Sequence, residues 1–265
     1  MSGSTDLDDL LAAALGDDED AAWQAVMSLH QRGDIATLEA ARARLDDPDP
    51  RVRCRAADVL GQLGVPERTF PAACFDALAE RLAREDHPAV LGDLGIALGH
   101  LGDPRAVPLL VPLAGHAAAE VRYGVVAGIM AQDDPAALAT LIALSTDPDL
   151  DVRDWATFAL GSQTEADTPA LRAALCARLA DEDATVRMEA IVGLAARGDA
   201  TAVPALIAAF TAGELSAELV EAAASLGDPR LQPALRTLRA HPDATAYFEE
   251  VLDEALHRCD PDLDA

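Results

Sequence analysis

Lysine is absent from this 265-residue sequence, and all 20 basic residues are arginine. They are outnumbered by 46 acidic residues, which gives a formal net charge of −26. Such a charge repels phosphate backbones and anionic membrane surfaces, and so argues against a general nucleic-acid binder or a membrane-surface protein. Solubility, a basic partner and a salt-adapted or GC-rich source each explain the acidity, and the sequence leaves all three open.

Aromatic residues are also scarce, at 3%, although 51% of the residues are hydrophobic. Alanine and leucine supply most of the apolar content, and both favour helices, whereas strands favour β-branched and aromatic residues. No apolar run approaches the roughly 20 residues that cross a bilayer, and the first residues lack the basic and apolar stretches of a signal peptide. The composition therefore favours an all-α protein.

Cysteine is rare as well, and no pair has the CxxC spacing of a redox or zinc site. The four residues, Cys54, Cys74, Cys176 and Cys259, are far apart in the sequence. In a helical protein they are expected to behave as small buried hydrophobes, which suits a reducing compartment. We therefore expect a cytoplasmic location.

One segment recurs along the chain, with a small or apolar residue four positions after its first residue and an apolar residue eight positions after it. The five clear copies start at valines separated by 38, 31, 31 and 34 residues: Val52, Val90, Val121, Val152 and Val186. Two weaker copies begin at Ala21 and Glu218. Offsets of four and eight lie on one stripe of a helix. Each copy is therefore predicted to be a helix that buries one face.

A second pattern lies between these copies and reads Gly-Asp-Pro-Arg-Ala-Val-Pro-Leu-Leu at residues 102–110. Related segments begin at Gly198 and Gly227. Glycine is typical of a helix end, aspartate of the next helix cap, and proline of an opening turn. The second proline, four residues later, is expected to bend its helix near the start. Each repeat is thus predicted to be two helices, with about seven such hairpins stacked in a row.

The Asp-x-x-Val helix start and the segment at 102–110 resemble HEAT repeats, particularly the phycobilisome-lyase HEAT-like type. The resemblance covers roughly residues 17–240 and implies a right-handed α-solenoid (α-α superhelix). We expect an N-terminal acidic capping helix at 1–16, the repeat array at 17–240, and a C-terminal capping helix and tail at 241–265. Scaffolds, chromophore lyases, hydroxylases and DNA glycosylases all use this repeat, so the resemblance leaves the function open.

The motifs of common enzymes are missing: the sequence has no GxGxxG, no P-loop lysine, no GxSxG and no HExxH. HEAT-repeat hydroxylases bind iron through His-Glu dipeptides, and none of the six histidines here precedes a glutamate. The glycosylases of this class have a cationic groove, which the net charge opposes. We therefore expect no catalytic residue, no metal and no cofactor.

Four arginines follow the starting valines at equivalent positions: Arg53, Arg122, Arg153 and Arg187. One interpretation is a basic strip for an anionic ligand. The other, which we favour, is a structural ladder, because aspartate stands close by in most copies (Asp49, Asp149 and Asp183) and a guanidinium pairs well with a carboxylate.

In HEAT-like arrays the second helix of each hairpin lines the concave face. Its candidate binding residues, two, three or ten positions after the starting valine, are Arg55, Asp93, His100, Tyr123, Asp154, Trp155 and Glu189. Tyr123 and Trp155 belong to adjacent central repeats and are predicted to anchor a partner. Alternatively, both aromatics fill gaps between repeats.

These features favour a monomeric, non-catalytic scaffold or adaptor that binds a protein partner with a basic surface on the concave face. One alternative is a chromophore-lyase-like enzyme or enzyme subunit, although Cys54 is the only cysteine near the predicted groove and few aromatics could flank a bilin. Another is an acidic immunity protein that imitates nucleic acid and blocks a basic toxin or nuclease.

Overall fold

The computed structural model describes residues 6–239 and 246–260, and within them the regular structure consists of helices without a strand. The chain divides into two compact units, which are Met1–Thr140 (unit 1) and Leu141–Ala265 (unit 2). Unit 1 contains α1 (Leu7–Ala13), α2 (Glu19–Arg32), α3 (Ile35–Arg44), α4 (Pro50–Gln62), α5 (Pro71–Leu82), α6 (Pro88–Leu101), α7 (Ala106–Leu110) and α8 (Ala119–Ile129). The predicted all-α repeat fold is confirmed.

The boundary between the two units falls within α9 (Pro135–Leu144). Unit 2 continues with α10 (Leu150–Ser162), α11 (Pro169–Arg178), α12 (Ala184–Ala196), α13 (Val203–Ala212), α14 (Ala217–Leu226), α15 (Gln232–Leu238) and α16 (Ala246–Arg258). The capping helices predicted at 1–16 and 241–265 correspond in position to α1 and α16. Residues 1–5, 240–245 and 261–265, which include most of the predicted tail, lie outside the described residues.

The seven repeat copies coincide with the even-numbered helices from α2 to α14. Inside unit 1, α4 packs side by side with α2 and α6, and α6 with α8. Inside unit 2, α12 packs between α10 and α14, and α14 also contacts α16. The stripe at offsets zero, four and eight is buried, as in Val90, Leu94 and Leu98, which have no exposed surface. Burial of this stripe is what holds neighbouring hairpins together.

Aspartates cap the helices where the sequence predicted them. Asp49 accepts a hydrogen bond from the N–H of Arg51, Asp149 from that of Val152, and Asp183 from those of Thr185 and Val186, at 2.8–3.3 Å. Each carboxylate satisfies amides that the first helical turn leaves without an acceptor.

Two of the proline-containing starts combine two types of helix. In α13 and α15 a 3₁₀ turn comes first (Ala200–Ala202 and Pro229–Leu231), and Pro204 and Pro233 then stand in the first turn of the α-helix. There the missing proline N–H has no intrahelical acceptor to lose. In the segment at 102–110, by contrast, Pro108 stands in the first turn of α7 and a 3₁₀ turn follows that helix at Val111–Leu113. The predicted bend near the second proline stays a prediction.

Glycine lets neighbouring second helices approach closely in both units. In unit 1, a Cβ added to Gly95 of α6 would lie 2.5 Å from the carbonyl oxygen of Gly124 in α8. In unit 2, a Cβ on Gly193 of α12 would lie 2.5 Å from the Cα of Gly161 in α10. Real Cβ atoms do not come this close to a backbone, so these positions admit only hydrogen.

Arg197, directly after α12, is a hub of backbone hydrogen bonds in unit 2. Its guanidinium donates to five carbonyl oxygens at 2.8–3.1 Å, those of Leu160, Gly161, Thr164, Ala166 and Gly193. Because arginine has five N–H donors, every one is used. The side chain thus joins the C-terminal ends of α10 and α12 to the segment that follows α10.

Candidate functional site

The four ladder arginines clamp the turn that precedes their own helix. In each, Nη1 donates to a carbonyl oxygen six residues earlier at 2.8–2.9 Å: Arg53 to Asp47, Arg122 to His116, Arg153 to Asp147, and Arg187 to Asp181. Three of them also bond the carbonyl five residues earlier. These arginines therefore hold the two helices of a hairpin together at the turn.

Acidic partners of two ladder arginines come from the next hairpin of the same unit. Arg53 makes a bidentate contact to Glu85 at 2.9 and 3.1 Å, and Arg153 contacts Asp181 at 3.1 Å. Burial works to raise the pKa of Glu85, but hydrogen bonds from Arg53, backbone amides and Arg81 lower it to about 2. Arg53 and Arg153 are each only 8% exposed. Both side chains are therefore inaccessible to an anionic ligand. The sequence predicted Asp49, Asp149 and Asp183 as the acidic members of the ladder, whereas the observed partners are Glu85 and Asp181.

A groove of about 770 Å³ lies in unit 1, and we call it the unit 1 groove. It is bordered by α2, α4, α6 and the segment after α1, and it brings together the predicted residues Arg55, Asp93 and His100. Tyr123, predicted as an anchor, lies partly buried on α8 and is not part of the lining.

Arg55 is fixed within the wall of the unit 1 groove. Its Nε donates to the carbonyl oxygen of Ala14 at 3.1 Å, and its Nη1 to Asp58 at 3.0 Å. The buried His30 approaches the other oxygen of Asp58 at 3.3 Å. Burial works to raise the pKa of Asp58, but His30 and Arg55 outweigh it, and the pKa is lowered. Asp58 is therefore a stable anion whose charge is compensated from inside the wall.

Asp93, by contrast, forms no ion pair with any described residue. Burial raises the pKa of its carboxyl group, against a hydrogen bond from the thiol of Cys54. Burial and Asp93 together raise the pKa of Cys54 to about 12. The thiol therefore remains a protonated donor at neutral pH. The charges of Asp58 and Arg55 act on Asp93 in opposite directions, since Asp58 raises its pKa and Arg55 lowers it.

Trp23 of α2 borders the same groove and is 59% exposed. The sequence prediction does not include it, because the candidate residues are those at fixed offsets from the five starting valines and Trp23 belongs to a weaker copy. It stands two positions after Ala21, where Tyr123 and Asp154 stand in their own copies. Extending that offset to the weak first copy would have found it.

In unit 2 the predicted residues Asp154 and Trp155 lie on α10, and Glu189 lies on α12. Oδ1 of Asp154 is buried and accepts no hydrogen bond from the described residues. Burial, Asp154 and Glu218 of α14 raise the pKa of Glu189 to about 7. Trp155 is 40% exposed, and its ring meets that of Phe158 edge-on at 5.6 Å. We call the three acidic residues, Asp154, Glu189 and Glu218, the unit 2 acidic face.

We expect Glu189→Gln to stabilise the protein above pH 7. Since the folded state raises this pKa from 4.5 to about 7, folding holds the proton more tightly. The contribution of protonated Glu189 to the free energy of unfolding is fully present below pH 4.5, and it is lost as the pH rises through about 7. The variant, which does not ionise, should therefore gain about 1–2 kcal/mol at pH 8 and nearly nothing at pH 4, after allowance for partial solvent access.

Urea unfolding of both proteins between pH 4 and pH 8.5 measures this difference. Glu214→Gln removes an exposed carboxylate from the same unit and serves as the matched control. A pH-independent difference for Glu189→Gln, or the same curve for both variants, would contradict the raised pKa.

Among the described residues, no group of three or more histidine, cysteine, aspartate or glutamate side chains is arranged to hold a metal ion. None of the described helices has both the length and the apolar character required to cross a membrane.

Comparison with known proteins shows HEAT repeats at residues 7–72, 75–161 and 141–216. YibA of Escherichia coli strain K12 is 32% identical over 134 residues, which are 51% of this chain and 48% of YibA. The same values hold for YibA of strain O157:H7. The match thus spans about half the length of the curated relatives.

The X-ray structure of Escherichia coli YibA superposes with a TM-score of 0.75 at 23% identity, covering 95% of this chain and 92% of YibA. The complex of CpcE and CpcF of phycocyanin lyase from Nostoc sp. PCC7120 gives a TM-score of 0.49 at 20% identity, with 95% of both chains covered. HEAT repeats generally mediate protein interactions through their extended helical surfaces. The matched repeats cover most of the sequence, and the chain belongs to the HEAT-repeat family.

Proposed function

We propose that this protein is a non-catalytic interaction scaffold that binds a partner protein with a basic surface. The observation that carries the proposal is the unit 2 acidic face, where Oδ1 of Asp154 is buried without a hydrogen bond from the described residues and the charge of Asp154 acts against ionisation of the partly buried Glu189. No described cation forms an ion pair with either. A carboxylate held in this way is an unfavourable arrangement in the free protein. A partner arginine or lysine would relieve it.

Two further features support a basic partner. The net charge of −26 would accelerate the approach of a cationic protein and make binding sensitive to salt. Trp155 stands beside Asp154 with its ring partly exposed, and tryptophan is among the residues that most often dominate binding energy. The protonated thiol of Cys54 supports a non-catalytic assignment, because a thiol at a pKa of about 12 is a poor nucleophile.

Affinity capture with the immobilised full chain tests the proposal. We expect a protein with a basic surface to be retained, with affinity falling about tenfold between 50 and 500 mM salt. With the purified partner, Trp155→Ala should weaken binding about tenfold or more. Leu150→Ala is the matched control, because it truncates another exposed apolar side chain of α10. A partner whose affinity is indifferent to salt and to Trp155→Ala would contradict the proposal.

A further inference from the structure

The unit 1 groove carries an excess of negative charge that its own cations do not balance. Its lining contains five carboxylates and two guanidinium groups. Arg51 is paired with Asp49 at 2.7 Å, and Arg55 is committed to Asp58 and to the carbonyl of Ala14. The remaining carboxylates, Asp17, Glu19 and Asp93, form no ion pair with a described residue. The negative charge of the groove therefore favours the binding of a cation.

Most of the remaining lining is apolar and includes Leu15, Ala22, Trp23, Ile96 and Ala97. The other polar side chains of the lining are those of Cys54, His87 and His100. Leu15 and Trp23 are 38% and 59% exposed, which is unusual for large hydrophobic side chains in this protein. An occupant that suits both parts of the lining must have an apolar body and a cationic end. Arginine and lysine side chains have this composition, because their methylene stems pack on apolar surface while the charged end forms polar contacts.

The planar guanidinium fits better than the ammonium. It stacks on an indole ring and can pair with a carboxylate through two N–H groups at once. The groove volume of about 770 Å³ is within the range of roughly 300–1,000 Å³ typical of ligand sites, and it exceeds what one side chain fills. A peptide segment that carries the arginine would occupy the rest.

We infer that the unit 1 groove binds an arginine side chain presented on an extended basic peptide segment, with its guanidinium paired to Asp93 and stacked on Trp23. This inference rests on the proposed function and names the chemistry by which the partner is recognised in unit 1. Arg55 and Asp58, which are bonded to each other at 3.0 Å, form part of the wall of the same groove.

Fluorescence anisotropy tests the inference, with the full chain and a fluorescein-labelled, C-amidated heptapeptide that alternates glycine and arginine, in 150 mM salt. We expect saturable binding that Asp93→Asn and Trp23→Ala each weaken about tenfold. Asp133→Asn is the matched control, because it removes an exposed carboxylate of the same unit outside the groove. It should change the affinity less than about twofold.

The same peptide with lysine in place of arginine separates stacking from net charge. The affinity of the lysine peptide for the wild-type protein should be lower than that of the arginine peptide by about threefold or more. In Trp23→Ala the two peptides should bind with equal affinity. Equal effects of Asp93→Asn and Asp133→Asn would overturn the inference. So would binding of spermidine as tight as that of the peptide, since the occupant would then be a small cation. Trp23 is exposed, so Trp23→Ala tests the groove even if Asp93→Asn alters folding.

The two proposals fail separately. If the captured partner depends on salt and Trp155 but binds Asp93→Asn and Trp23→Ala normally, the scaffold function stands and the groove inference falls. If no basic partner is captured while the peptide still requires Asp93 and Trp23, the groove inference stands as an isolated binding site and the scaffold function falls.

Discussion

Arg197→Met is expected to lower the free energy of unfolding by about 3–5 kcal/mol. The guanidinium meets five carbonyl oxygens in unit 2, including those of Leu160, Gly161 and Gly193 at the ends of α10 and α12. Methionine keeps most of the apolar stem but offers no donor. The five carbonyl oxygens then lose the Arg197 donors, and the segment after α10 loses these hydrogen bonds to the end of α12.

Urea unfolding followed by helical circular dichroism measures this loss. Arg236→Met is the matched control, because Arg236 is exposed in the same unit and the same atoms are removed. It should change the stability by less than about 0.5 kcal/mol. If the two variants were equally stable, the five hydrogen bonds would contribute nothing to the folded state.

Gly95→Ala is expected to lower the free energy of unfolding by about 2–3 kcal/mol, even though alanine is the better helix former. Its methyl group would stand 2.5 Å from the carbonyl oxygen of Gly124, and the three nearest atoms all belong to the Gly124 backbone, which no side-chain rotation can move away. The helices α6 and α8 would have to separate along the contact, which also loosens the buried stripe of Val90, Leu94 and Leu98.

Gly115→Ala is the control for this exchange, since a Cβ there meets no atom within 4 Å. Its melting temperature should stay within about 2 °C of the wild type, whereas Gly95→Ala should melt roughly 5 °C lower or more. An unchanged or raised melting temperature for Gly95→Ala would mean that α6 and α8 are not in such close contact in solution.

The repeat architecture could be predicted because helix burial has a period. Valine, leucine and alanine at offsets of four and eight are buried together only on a helix. Three of the copies also carry a capping aspartate, namely Asp49, Asp149 and Asp183. The proline starts were predicted less well. The sequence shows where proline stands but not whether the turn before it is 3₁₀ or α, since that depends on the packing of Ala202 and Leu231, both buried.

The site could be predicted only in part. Arg55, Asp93 and His100 were placed on one surface from their offsets, and the structure brings them to the unit 1 groove. Asp58 was missed because it lies at an offset that was not considered. Arg197 was missed for a different reason: its acceptors are backbone carbonyls up to 37 residues away, and carbonyls leave no trace in side-chain patterns. Tyr123 and Trp155 fall in different units, so their role as a joint anchor stays a prediction.

The ladder arginines have a consequence for how such a protein can lengthen. Each Nη1 contact spans only five or six residues, so the clamp is encoded entirely within one hairpin and its low contact order favours early closure. A duplicated hairpin would bring its own clamp and need no compensating change elsewhere. Growth of the chain by gene duplication then depends on contacts between hairpins: the new hairpin must match the buried stripes on either side of it and supply an acidic partner where an arginine reaches across, as Glu85 does for Arg53.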